Sequence, residues 1–133
     1  EVTADDIARY HLVCWGDAAS NGIIARALPK LPLRWDESSV TVGGESKDAK
    51  THVPILIYPN PLDQAKPGAT LRYLVLNSGP TFRENDDRNN SKQNPKLPDW
   101  SIVDVTVAPD DKAPGGVVAA DFFDESWQVK PAR

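Results

Sequence analysis

Apolar and polar positions along this chain fall into short blocks of two different periods. Leu12, Val13, Cys14 and Trp15 are apolar on successive positions. After Gly16-Asp17 the next apolar residues, Ile23, Ile24, Ala27 and Leu28, recur at helical spacing. That change of period predicts a strand over residues 12–15, a turn, and an amphipathic helix over residues 20–28 with Arg26 on its wet face. Asp17 or Ser20 can cap the first amides of the helix. Pro29 and Pro32 stop it, because a fixed φ and a missing N–H cannot continue the ladder. A strand apolar at every position reads as covered on both faces, hence central in its sheet.

The same reading extends to the rest of the chain. Residues 3–10 (TADDIARY) predict a short helix with Thr3 as N-cap and Asp5 and Asp6 in its first turn, where carboxylates suit the helix dipole. Residues 33–35 and 40–42 are short extended pieces, Gly43-Gly44 is a turn, and residues 45–51 read as a charged loop. Strands are expected over residues 53–58 (VPILIY) and 71–76 (LRYLVL), separated by a polar loop at 64–69. Pro54 places its end of the first at a sheet edge or a strand start. Residues 81–94 are densely polar and read as a solvated helix or an ordered loop anchored by Phe82. Ile102, Asp104 and Thr106 alternate with Val103, Val105 and Val107, which predicts a half-buried strand with one polar face. Residues 117–123 (VVAADFF) supply a last strand, or one passing into a short helix, and Trp127 packs the tail.

Apolar strands joined by helical or long polar crossovers predict one α/β domain over residues 1–133, with three layers and a twisted, mostly parallel or mixed sheet flanked by helices. An all-β sandwich is the alternative, since only the helix after residue 20 is strongly periodic. A length of 133 residues suits one domain, and the net charge of −4 without a basic block makes nucleic acid or an anionic membrane an unexpected partner. No apolar run approaches the ~20 residues of a membrane span. Residue 1 already lies in a polar, helix-compatible stretch rather than a signal peptide, so the chain reads as a processed product or a piece of something longer. The single cysteine, Cys14, excludes an internal disulfide and reads as a small buried hydrophobe.

Familiar catalytic signatures are missing. The chain has no G-x-S-x-G elbow, no phosphate-binding G-x-x-x-x-G-K, no G-x-G-x-x-G and no CxxC pair. His11 and His52 lack a His or Cys at metal-ligand spacing, and Asp86-Asp87 and Asp110-Asp111 lack a calcium-loop pattern, so no cofactor and no metal are expected. Asn89-Asn90-Ser91 formally matches a glycosylation sequon. The best local candidate is the turn carrying Asp17, Ser20 and Asn21. A second polar group, Asn77, Ser78, Arg83 and Glu84, follows the strand at 71–76. If the two strands run parallel, both turns share one sheet edge, where ligands sit in open α/β sheets. Asp17, Ser20, Asn21, Asn77, Ser78 and Arg83 then form a ligand-binding or docking cleft. Ser78 has no histidine nearby in sequence, so no catalytic residue is assigned.

The ordered series LVCWGDAASN, LPLRW, VGG, HVPILIYPNPL, YLVLNSGPTFRE, PKLPDWSIVDV and VVAADFFDESW resembles the C-terminal region of large bacterial secreted proteins of the prolyl-oligopeptidase-like, α/β-hydrolase type. The likeness runs over nearly the whole chain, loosened by the insert-like residues 64–70 and the polar residues 85–90. It implies a module following the hydrolase part of an export-routed, secreted or periplasmic protein. The family's nucleophilic serine has no counterpart here. Two functions follow as expectations. One is a non-catalytic accessory module that packs on a hydrolase domain or another subunit, or helps present substrate. The other is a stand-alone small-ligand-binding domain or small hydrolase using the polar cleft. The first should expose an apolar patch, the second a pocket of roughly 300–1,000 Å³.

Overall fold

The computed structural model describes residues 1–78, 97–110 and 112–131. The elements in chain order are α1 (Ala4–Arg9), β1 (Leu12–Trp15), α2 (Gly22–Ala27), a 3-10 turn (Leu28–Lys30), β2 (Arg34–Trp35), β3 (Ser39–Val42), β4 (Glu45–Asp48), β5 (His52–Pro59), β6 (Tyr73–Asn77), β7 (Trp100–Asp104) and β8 (Gly116–Asp121). Five strands form one sheet in the order β1-β6-β5-β7-β8, and β2-β3-β4 form a second. Among the described residues only the β1–β6 pair is parallel; the other neighbours are antiparallel.

This architecture corrects the three-layer α/β expectation. A mixed sheet is present, but the second layer over its core face is the β2-β3-β4 meander together with the six-residue α2, not a bank of helices. The reason lies in residues 33–48. Val40 and Val42 alternate with Ser39 and Thr41, so β3 turns one apolar row inward, where both valines are fully buried. Gly43 adopts φ +59 in the tight turn and sets the register Val42↔Glu45. That turn carries the chain back as β4 (ESKD), so residues 45–48 are a strand rather than the expected loop.

The core face of the large sheet presents Cys14, Leu74, Leu76, Leu56, Trp100 and Ile102. These close on Ile24 and Ala27 of α2, Val40 and Val42 of β3, Leu31, Leu33 and Phe123 in a single apolar cluster. Leu74, Leu76 and Ile102 are at most 1 % exposed. At ~25 cal/mol per Å² of apolar surface removed from water, this cluster is the main favourable contribution to folding.

Three further expectations change. β1 is an edge strand, not a central one, and Val13 on its outer face is 56 % exposed. β7 is buried at Trp100, Ser101, Ile102 and Val103, so it is covered on both faces instead of showing a polar one. Pro54 lies inside central β5, opposite Ile102 of β7, but the ladder to β6 begins one residue later at Ile55↔Asn77. Its missing N–H therefore falls just outside that ladder. The tail returns to the N-terminal end of β1 and β6, where Trp127 packs against Tyr58, Tyr73 and Phe123 with ring centroids 5.6–6.1 Å apart. The segment at 81–94, including the Phe82 anchor, the 89–91 sequon and Asp86-Asp87, lies outside the described residues.

Candidate functional site

Because β1 and β6 are parallel, with Trp15 opposite Asn77, the turns that follow them leave the same end of the sheet. The first turn begins at Gly16, whose φ is +90; a Cβ there would lie 2.6 Å from Ser20 Oγ. Only glycine fits both the backbone and the space. Asp17 then organises the turn: one carboxylate oxygen accepts from the amides of Ala19 (3.0 Å) and Ser20 (2.8 Å) and from the Ser20 hydroxyl (2.8 Å). The Asp17 amide in turn donates to Ser20 Oγ at 3.1 Å. The Ser20 hydroxyl first, and then its amide, hold the Asp17 carboxyl below the usual carboxylate range.

The cap of α2 is Asn21, rather than Asp17 or Ser20. Its Oδ1 accepts from the amides of Ile23 (3.0 Å) and Ile24 (3.4 Å), and its Nδ2 donates to the Trp15 carbonyl at 3.1 Å. One side chain thus satisfies two helix amides and ties the helix start to the end of β1. From the second turn, Ser78 Oγ donates to the Gly16 carbonyl at 2.8 Å. Asn77 is buried at the register position beside Trp15. Five of the six expected site residues are therefore gathered at one sheet end, and Arg83, with Glu84, lies outside the described residues.

Chemically, the arrangement is a stitched corner. The Asp17, Ser20, Asn21 and Ser78 side chains are bonded to one another or to backbone, and among the described residues neither serine is bonded to a histidine or lysine; the carboxylate that Ser20 meets, Asp17, already accepts from two amides of the turn. His11 sits at the opposite end of β1, where its Nδ1 accepts from the Tyr73 amide at 3.0 Å. His52 Nδ1 lies 3.1 Å from the Asp48 carbonyl oxygen and 2.9 Å from Thr51 Oγ1. Among the described residues, no three His, Cys, Asp or Glu side chains converge as a metal set.

Beside the corner lies an open cleft of about 500 Å³, lined by Asp17, Ala18, Ala19, Leu28, Trp35, Asp36, Glu37, Ala49 and Val53. Its three charged residues are all carboxylates, a poor setting for a phosphate. Asp36 is held at about 2, first by the Ser38 hydroxyl (2.7 Å) and then by the amides of Ser38 and Ser39. The sequence reading passed over Asp36 and Glu37. The D-x-S-S pattern at 36–39 signals an Asx turn but says nothing about its position beside Asp17.

Large exposed apolar residues gather elsewhere. Val117, Val118 and Phe122 lie on or just after edge strand β8, and Val105 and Val107 precede it; all five are 37–56 % exposed. Gly116 packs close to Val107, joining the loop to the strand. Pairing shifts register between Ile102 and Val103, opposite Val117 and Ala119, so Val118 is a bulge residue. A bulge disrupts the edge ladder and discourages addition of another strand. Comparison with known proteins finds no family model that matches the chain, and no match among curated proteins or solved structures.

Proposed function

We propose that this domain is a non-catalytic accessory module of a secreted or periplasmic hydrolase-type protein, packing against the peptidase- or esterase-like part of its parent chain. The observation that carries the reading is the stitched corner: Ser20 and Ser78, the hydroxyls at the ligand end of the parallel strands, hold the two turns and Asp17 together, and among the described residues the base bonded to either is the Asp17 carboxylate, itself held below the usual carboxylate range by the hydrogen bonds of its own turn. Nucleophilic catalysis needs a hydroxyl within hydrogen-bond reach of a base able to take its proton, and a carboxylate made more acidic than usual is a poor one. The β8 edge supports the packing role, since it offers apolar side chains where its bulge disfavours strand pairing. The resemblance of the chain's ordered segments to sequences that follow a hydrolase part names the partner.

The test is a chain carrying both parts, with Val117→Asp and Phe122→Asp introduced together. Both side chains are exposed, so the module itself keeps its fold. The expected result is that one cooperative thermal transition splits into two. An unchanged single transition contradicts the packing surface.

A further inference from the structure

At the sheet end opposite the stitched corner, the chain builds a second cleft of about 540 Å³ between α1, α2 and the β5–β6 connection. Its charged lining is Arg26, Lys66 and Arg72 against a single acid, Asp63, a local excess of two positive charges in a chain whose net charge is −4. None of the three cations is in an ion pair with a described residue. Arg72 carries the decisive detail: it lines the cleft with no ion-pair partner among the described residues, and its Nε, on the buried edge of the guanidinium, has no hydrogen-bond partner either. A buried charged donor left unpaired is costly, and an acceptor bound at the open edge of the same guanidinium offsets part of that cost.

The frame around Arg72 is fixed. The Asn60 amide donates to the Arg72 carbonyl at 2.8 Å, and Asn60 Oδ1 accepts from the Leu62 amide at 3.0 Å, pinning both ends of the connection. The Arg72 backbone is thus held in place, while its guanidinium lacks an acceptor among the described residues. Apolar surface from Ile7 and Leu62 lines the same cleft.

We propose that this cleft is a binding site for a monocarboxylate with an apolar body, such as the C-terminal end of a peptide. Arg72 takes the planar carboxylate end-on through its two terminal nitrogens, a fork that matches a carboxylate bidentately. Arg26 and Lys66 add positive potential at the mouth, and Ile7 and Leu62 receive the apolar side chain. Asp63 disfavours a dianion such as phosphate. The proposal does not depend on the packing role of the β8 edge.

The experiment is an NMR titration of the folded chain with N-acetyl-leucine, N-acetyl-leucinamide and inorganic phosphate as separate probes. N-acetyl-leucine is expected to bind, shifting the Arg72 guanidinium resonances, while the amide does not bind and phosphate binds more weakly than the acid. Arg72→Gln and Arg72→Lys should each weaken N-acetyl-leucine about tenfold or more, since lysine keeps the charge but not the fork. Should Arg72→Gln fail to fold, the exposed pair Arg26→Gln and Lys66→Gln gives the second readout, a weakening of several-fold. Equal binding of acid and amide, tighter binding of phosphate, unchanged affinity in both Arg72 variants, or no binding in a millimolar titration overturns the assignment.

Discussion

Replacing Asn21 by alanine removes three hydrogen bonds at once: two that cap α2 and one that anchors the helix to the Trp15 carbonyl. Losing an N-cap costs about 1 kcal/mol, within a range of about 0.5–2. The Nδ2 bond contributes about 1 kcal/mol more. The expected loss is therefore about 2 kcal/mol, which at a urea slope of about 1–3 kcal/mol per M lowers the unfolding midpoint by about 1 M. Asn21→Asp separates the two contributions. A carboxylate keeps the cap and suits the helix dipole, but it faces the Trp15 carbonyl with an acceptor, so the loss should be about half as large. Equilibrium urea unfolding followed by circular dichroism measures both. An Asn21→Ala variant within about 0.5 kcal/mol of the parent, or equal losses in the two variants, refutes the assignment of Asn21 as the pin of this corner.

Other consequences follow from the same geometry. Gly16→Ala places a methyl 2.6 Å from Ser20 Oγ at φ +90, so it should cost about 1–3 kcal/mol in the same unfolding assay; a neutral effect contradicts the turn. Cys14 is buried, and burial pushes its thiol up, so a thiol reagent should label it only as fast as the protein opens. Labelling as fast as in urea-unfolded chain refutes this. Asp36 is lowered from its ordinary 3.8 to about 2, and Asp6, Asp17 and Asp104 are lowered as well. Each is more acidic folded than unfolded, so each favours the fold above the ordinary carboxylate value and ceases to as pH falls through the folded value. Stability should thus decline from about pH 4 toward pH 2, and Asp36→Asn should flatten that decline; a slope that survives the substitution unchanged excludes Asp36.

What the sequence made legible is what local chemistry decides. Thr3 and Asp6 form the expected N-terminal cap of α1, each accepting from the other's backbone amide. The helical stripe of Ile23, Ile24, Ala27 and Leu28 lies against the core with Arg26 outside. Partnership between strands is less visible. Consecutive apolar residues at 12–15 suggested two covered faces, yet among the described residues β1 has a strand neighbour on one side only and Val13 is 56 % exposed. The charged residues 45–48 carry no strand pattern and pair because the Gly43-Gly44 turn delivers them to β3. Likewise, D-x-x-S-N pointed to Asp17 or Ser20 as the cap, and geometry selects Asn21 instead, because Asp17 is already committed to Ser20. The basic cleft was not legible at all: Arg26 lies on α2 and Lys66 and Arg72 in the β5–β6 connection, and they meet only when that connection is placed beside α2.

The most direct measurement is hydrolysis by the purified chain alone, with p-nitrophenyl acetate and a peptide p-nitroanilide as substrates, beside its Ser20→Ala and Ser78→Ala variants. With both hydroxyls spent on holding the turns, all three proteins should leave the substrates at the buffer rate, and the substitutions should register only as lower stability. A rate above buffer that disappears in either serine variant would show an attacking group at this corner and contradict the account.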